Sequence, residues 1–255
     1  MFQKLVFTHI LSEKCVHLDE FSKTDGVITV DTDSDSSNLD LPTLMDNSVT
    51  TLKLGPNVNF FSFTRYFKYF QVIDLSSNQV SQLETNFNSL PQLKKVILPQ
   101  SITKIPNNCF ENSGITEINM DYIKEISSRA FYGCINLQTI DLSKVTSISD
   151  SSFEYSGIKV ADLSELTITT IPTSAFASCY QLTTVTLPSG KEFVLNDKSF
   201  YRCYKLTAIT GTVKQVGVSA LAFTGISTIT FAGTELICKS NSFEKSSIET
   251  IQGPE

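Results

Sequence analysis

The sequence predicts a β-rich solenoid, a rod of about ten stacked turns of 20–24 residues, with short helical turns at most. Three observations predict it: a short apolar string that recurs at near-constant spacing, a column of phenylalanines at fixed offset from it, and strand-forming residues with no helix-period stripe. The strings LKKVIL (93–98), ITEINM (115–120), LQTIDL (137–142), IKVADL (158–163), LTTVTL (182–187) and ISTITF (226–231) share one pattern: apolar, two variable, apolar, variable, apolar. Weaker copies start at 49, 70, 206 and 248, so the ten starts are 21, 23, 22, 22, 21, 24, 24, 20 and 22 residues apart.

The second regular unit lies between these strings. Its column reads Phe87, Phe110, Phe131, Phe153, Phe176, Phe200, Leu221 and Phe243. From Phe110 onward a small residue precedes each member, from Cys109 and Ala130 to Ser242, and a Ser, Cys or Thr follows three positions later, from Ser113 and Cys134 to Ser246. Five residues before stands an apolar position such as Ile105, Ile126, Ile148 or Ile171. A unit of this length cannot bury its own apolar side, but stacked copies share one core. Each turn therefore reads as a strand, a corner, a second short extended stretch and a tight turn around the Phe. At roughly 4.8 Å per turn the rod would be about 45–50 Å long.

LPQSITKIPNNCFENSGITEI and TITTIPTSAFASCYQLTTVTLP resemble the BspA-type leucine-rich repeat, whose consensus runs LxxIxLPxxVxxIxxxAFxxCxxLxxI. The likeness covers about residues 49–252 and is strongest from 93 to 231. It implies a horseshoe solenoid of the kind found in surface proteins of mucosal bacteria and protozoan parasites. There it is associated with adhesion to host cells, matrix or other microbes. No catalytic residues belong to the pattern, so none carry over.

Composition narrows the function classes. The chain is 41% hydrophobic and 18% charged, with a net charge of −6, as expected of a folded soluble protein. Residues 1–48 hold nine acidic and three basic side chains, while the repeat body balances. That is the wrong charge distribution for nucleic-acid binding. No apolar run reaches the length of a membrane span, so no direct membrane insertion is expected. The first residues read as a poor signal peptide: Phe2, Leu5, Val6 and Phe7 are apolar, but His9, Glu13 and Lys14 break the run. Cytoplasmic residence is thus the alternative to the surface location that the resemblance implies. His9 and His17 are the only histidines, so the repeat body lacks the commonest general base. No cofactor or metal is expected, and the reading is non-enzymatic.

Residues 1–48 fall outside the repeat and are expected to cap residues 49–255 at the N-terminal end, where a solenoid otherwise exposes its core. The repeat runs to Ile251 without a cap, which reads as a fragment or as an end covered by a partner or another segment. The string 31–40 carries Asp31, Asp33 and Asp35 at calcium-loop spacing. Ser36 and Pro42 replace the required Gly and Glu, so a solvated loop is expected. Cys134, Cys179 and Cys203 stand in a Ser/Thr column and Cys109 in an Ala/Ser column, so free, buried thiols are expected, although Cys179 and Cys203 on adjacent turns are close enough in principle for a bridge. The aromatic run 59–70 is expected to supply rings to the core, with others left exposed for a partner.

The outward strand positions are the candidate binding surface. If the apolar positions of each string point inward, the intervening ones face out on the concave side. The candidates are Asp74, Lys95, Glu117, Asn119, Thr139, Asp141, Asp162, Thr184, Thr186, Thr228 and Thr230. Asp141 and Asp162 on neighbouring strands should repel, a cost that a cation or basic partner group would relieve. The expected partner is a protein of a host cell, matrix or microbial surface. An intracellular scaffold using the same face is the alternative.

Overall fold

The computed structural model describes residues 21–24, 26–30, 49–84, 86–231 and 235–253. The acidic string 31–40 and most of the 1–48 segment lie outside them. Strands begin with β1 (Phe21–Thr24), β2 (Val27–Val30), β3 (Thr51–Leu54), β4 (Val72–Asp74) and β5 (Lys95–Ile97). Then two rows alternate: β6 (Lys104–Ile105), β7 (Glu117–Ile118), β8 (Glu125–Ile126), β9 (Ser147–Ile148), β10 (Val160–Asp162) and β11 (Thr170–Ile171). The last are β12 (Thr184–Thr186), β13 (Glu192–Leu195), β14 (Ala208–Thr210), β15 (Thr212–Val216), β16 (Thr228–Thr230), β17 (Ile237–Cys238) and β18 (Thr250–Gln252). A single helical turn, α1 (Phe60–Phe63), and a 3-10 stretch over Thr64–Tyr69 interrupt them.

The first row follows the recurring strings. β2, β3, β4, β5 and β7 pair in parallel, β10, β12 and β14 form a second group, and β16 pairs with β18. Register matches the repeat, with Val160 beside Thr184 and Thr184 beside Ala208. Burial alternates as predicted: Val96 and Val185 are buried between half-exposed neighbours. β1 turns back antiparallel on β2 across Gly26, whose φ of 79° suits the tight connection.

One string does not form a strand. Nine of the ten repeat starts carry one, but LQTIDL at 137–142 is irregular, and Ile140 is only partly buried. Its backbone bond to the following turn is Lys159 N–H to Gln138 O, 3.1 Å. The second row also divides here, into β6–β8–β9 and β11–β13–β15–β17. The corner lengthens at this point from LSKVTSI to LSELTITTI, so neighbouring turns no longer align residue for residue.

The Phe turns form a third row. Phe67, Phe87, Phe110, Phe131, Phe153, Phe176 and Phe200 are fully buried. Their rings stack with centroids 5.0–5.5 Å apart and planes within 7°. Phe67 is the ring that the 59–70 run supplies to this column; Phe60, Tyr66 and Phe70 are also buried, while Phe61 and Tyr69 are exposed. Around each column member the backbone alternates in hand. Among the described residues, all fourteen non-glycine ones with positive φ lie two positions before or after one. That alternation aims every second N–H at the next turn: Asn108 to Ser128 O (3.1 Å), Phe110 to Ala130 O (2.9 Å) and Asn112 to Tyr132 O (2.7 Å). The same triplet recurs turn by turn as far as Phe223 N–H to Glu244 O.

The five described cysteines are free, four of them buried and Cys238 exposed. Cys134, Cys179 and Cys203 each donate to the Phe carbonyl of the preceding turn at 3.0 Å. These thiols therefore tie turns together without a covalent link.

Candidate functional site

The candidate residues line up along the first row, but many are already engaged. Asp74, Asp141 and Asp162 each accept a bond from the backbone N–H two residues on, at Ser76 (2.9 Å), Ser143 (2.9 Å) and Ser164 (3.1 Å). These are Asx turns, closing the corner after the strand. The bond from Ser143, aided by Lys144, holds the Asp141 carboxyl below the usual range. Asp141 belongs to the irregular string rather than to a strand beside β10, so the strand pair expected to set it against Asp162 does not form. Both carboxylates are stabilised within their own turns.

Asn119 is also committed. Its Oδ1 accepts from Leu98 N–H (2.7 Å) and its Nδ2 donates to Leu98 O (3.1 Å), so the amide replaces a missing rung between turns. Lys95 and Glu117 sit opposite each other in β5 and β7 and form an ion pair. Thr184 and Thr186 on β12 and Thr228 on β16 are half-buried, while Thr139 and Thr230 are exposed. The surface offers aligned hydroxyls over its C-terminal part and a self-neutralised pair near its middle. Among the described residues no group of His, Cys, Asp and Glu could hold a metal ion, and no helix is long and apolar enough to cross a membrane.

A second surface feature lies on the Phe-turn side, where Tyr155, Tyr180 and Tyr204 are exposed and Tyr132 is half-buried. Tyr132, Tyr155, Tyr180 and Tyr204 touch in succession, with centroids 5.5, 6.4 and 5.7 Å apart. Beside Tyr132 and Tyr155 a recess of about 460 Å³ opens, lined also by Pro91, Asn112, Ile135 and Asn136. Sequence reasoning missed this row because its members stand one, two, four and four positions after their Phe.

Parallel strand rows, an aromatic column and inter-turn ladders define a leucine-rich-repeat solenoid. The chain belongs to the family described as the BspA type leucine rich repeat region, which matches in six copies over residues 57–171, 83–207 and 146–255. Repeats of this kind typically serve as non-enzymatic protein-interaction modules. The fold is similar to that of a leucine-rich repeat protein from Bacteroides ovatus, at 16% identity over 99% of this chain and 77% of that one, with a TM-score of 0.50. A leucine rich cell surface protein from Faecalibacterium prausnitzii aligns at 12% identity over 92% of this chain and 86% of that one, with a TM-score of 0.41. No curated protein matches the chain.

Proposed function

We propose that this chain is a surface adhesin that binds a host, matrix or microbial protein through the outward side of its first strand row. The observation that carries the reading is the hydroxyl-rich outward face of two in-register groups, β10 with β12 and β14, and β16 with β18, where Thr184 lies beside Val160 and Ala208, Thr186 beside Asp162 and Thr210, and Thr228 beside Thr250. Neighbouring turns present these groups in fixed rows, so a partner would meet a preformed surface and little ordering cost would oppose binding. Membership of a repeat family of interaction modules supports it. Residues 1–48 serve in this reading as the N-terminal cap; β2 continues the parallel ladder and the antiparallel β1 ends it.

The test has two parts. Antibody labelling of intact cells against permeabilised cells should give signal on the intact ones, and signal only after permeabilisation would point instead to an intracellular scaffold. Purified chain should then block attachment to host cells or matrix. Thr184→Lys with Thr228→Lys should abolish that block while the melting temperature holds. Unchanged blocking by the double variant would remove this face from the interaction.

A further inference from the structure

The Phe row has a polarity that the strand row lacks. Each of its bonds runs from an N–H to a carbonyl one turn later, and the bonds join end to end through single peptide groups. Phe110 N–H donates to Ala130 O (2.9 Å), and the same peptide group carries Phe131 N–H, which donates to Ser152 O (2.8 Å). The column continues through the carbonyls of Ala175, Ser199, Ala220 and Ser242, each accepting at 2.8–2.9 Å. A second column runs to Phe223 N–H on Glu244 O (2.7 Å) and a third to Ser219 N–H on Ser240 O (3.1 Å). Three columns of peptide dipoles bonded head to tail are also the arrangement inside an α-helix, which places roughly half a positive charge at its N–H end. Strand dipoles alternate and sum to little.

In this row the N–H end is the last described turn. The next peptide groups of the three columns present Asn241, Phe243 and Lys245 N–H, and none of these donates to an acceptor among the described residues. Asn241 and Lys245 keep the left-handed backbone of the earlier turns, at φ 56° and 51°, so the donors are held in ladder geometry without a ladder partner. The same turn is uncovered in its other two rows. Ile251 is 49% exposed where Ile229, one turn earlier in its column, is 1% exposed. Cys238 is exposed where Val216 is buried.

We propose that this end of the stack binds an extended, acidic segment of a partner protein, laid along residues 239–245. Geometry selects an extended chain. The open donors stand at every second residue, and an extended chain turns every second carbonyl to one side, as Ser128, Ala130 and Tyr132 do for Asn108, Phe110 and Asn112. Charge selects an acidic one. Lys239 and Lys245 flank the donors and form no ion pair among the described residues, and Glu244 is the one acidic residue between them. Lys245 and Arg202 lie over the Phe223 ring, at 5.1 and 5.8 Å, which adds a further cation to this side. Polarity disfavours a second copy. A two-fold contact would set donors against donors, and at the other end of the column Phe67 already stacks on Phe87.

Amide hydrogen exchange reads the donors directly. In the free chain Asn241, Phe243 and Lys245 should exchange roughly a hundredfold faster than Ser219, Leu221 and Phe223 one turn earlier. The probe is a labelled decapeptide of alternating Asp and Val, and its control is the same peptide with Lys for Asp. The Asp peptide should bind saturably and slow exchange at the three amides, with Kd rising roughly tenfold from about 0.05 to about 0.5 M salt. Lys239→Glu with Lys245→Glu should raise Kd roughly tenfold or more at unchanged melting temperature. Lys124→Glu with Lys159→Glu, the same change of charge at exposed positions on other turns, should leave Kd unaltered. Equal binding of the Lys peptide overturns the proposal, as does binding that leaves the three amides in fast exchange, or no saturable binding. Protection of those amides in the chain alone, lost on dilution, would overturn it in favour of a second copy.

Discussion

The strand row and the Phe-turn row are two sides of the same turns, yet they hold the stack together differently. The strand row is interrupted twice, at LQTIDL and between β14 and β16. The Phe row runs without a break from Phe87 N–H on Cys109 O to Phe223 N–H on Glu244 O, with the buried rings stacked inside it. Continuity therefore resides in the turns, not in the sheet. A side of the molecule that does not set the register is free to vary its outward residues, and the sheet face varies from Lys95 and Glu117 to Thr184 and Thr228.

The sharpest way to break this comparison is to damage each side in turn. Phe176 is fully buried between Phe153 and Phe200, at 5.3 and 5.5 Å. Phe176→Ala removes both stacking partners' contact and leaves a cavity, at a cost of about 3–5 kcal/mol. Thr184→Ala touches only the outward side of β12 and should cost a few tenths of a kcal/mol, about what an ordinary surface substitution costs. Chemical denaturation of both variants checks the pair. Similar losses would mean that the sheet carries as much of the register as the turns.

The inward and outward faces, the strand register and the Phe column were legible because side-chain polarity repeats with the period. The left-handed positions around each Phe were not. They are filled by Ser, Asn, Lys, Arg, Tyr and Phe, and apart from Gly133 and the asparagines nothing in those identities announces positive φ. What fixes the backbone there is the ladder to the next turn, a non-local effect. LQTIDL fits the repeat string better than VTTLKL at 49, yet only the latter contains a strand. Nothing in the string itself separates it from those that pair, since strings with unequal corners, at 98–105 and 120–126, pair all the same. The Asx turns could have been found: Asp74, Asp141 and Asp162 each open an Asp-Leu-Ser triplet, which places a backbone N–H two residues after the carboxylate.

A smaller effect sharpens the comparison from within the Phe row. Burial pushes the Cys134 and Cys179 thiols up to about 12 from an ordinary 9.0, against the opposing pull of Ser113 and Ser156. A thiol whose folded pKa is raised keeps its stabilising effect at neutral pH. It loses that effect as pH rises between the unfolded and folded values, because only the unfolded chain ionises. Stability should fall between pH 9.0 and about 12, by about 1.4 kcal/mol per pH unit for each such thiol. Cys179→Ser, the residue the same column uses at Ser113 and Ser156, should reduce that slope by one thiol's share. Denaturant melts across the alkaline range measure it, and an unchanged slope would place the thiol in contact with water.

A more local effect decides what the sheet-side carboxylates are for. Asp141→Ala removes the acceptor that Ser143 N–H uses and should cost about 1 kcal/mol. Asn can form the same turn, so Asp141→Asn should restore most of the loss. Because the Asp141 carboxyl is held below its ordinary range, its contribution is present at neutral pH and fades as acid protonates it in the folded chain. Asp141→Asn should flatten that acid limb slightly, the effect being small for so exposed a group. An Asp141 that served recognition alone would behave otherwise: Asn would weaken partner binding as much as Ala, and neither would move the melting curve. Rescue by Asn in the melt, with attachment unchanged, makes the residue a corner of the scaffold and leaves recognition on the strand face to the threonines around it.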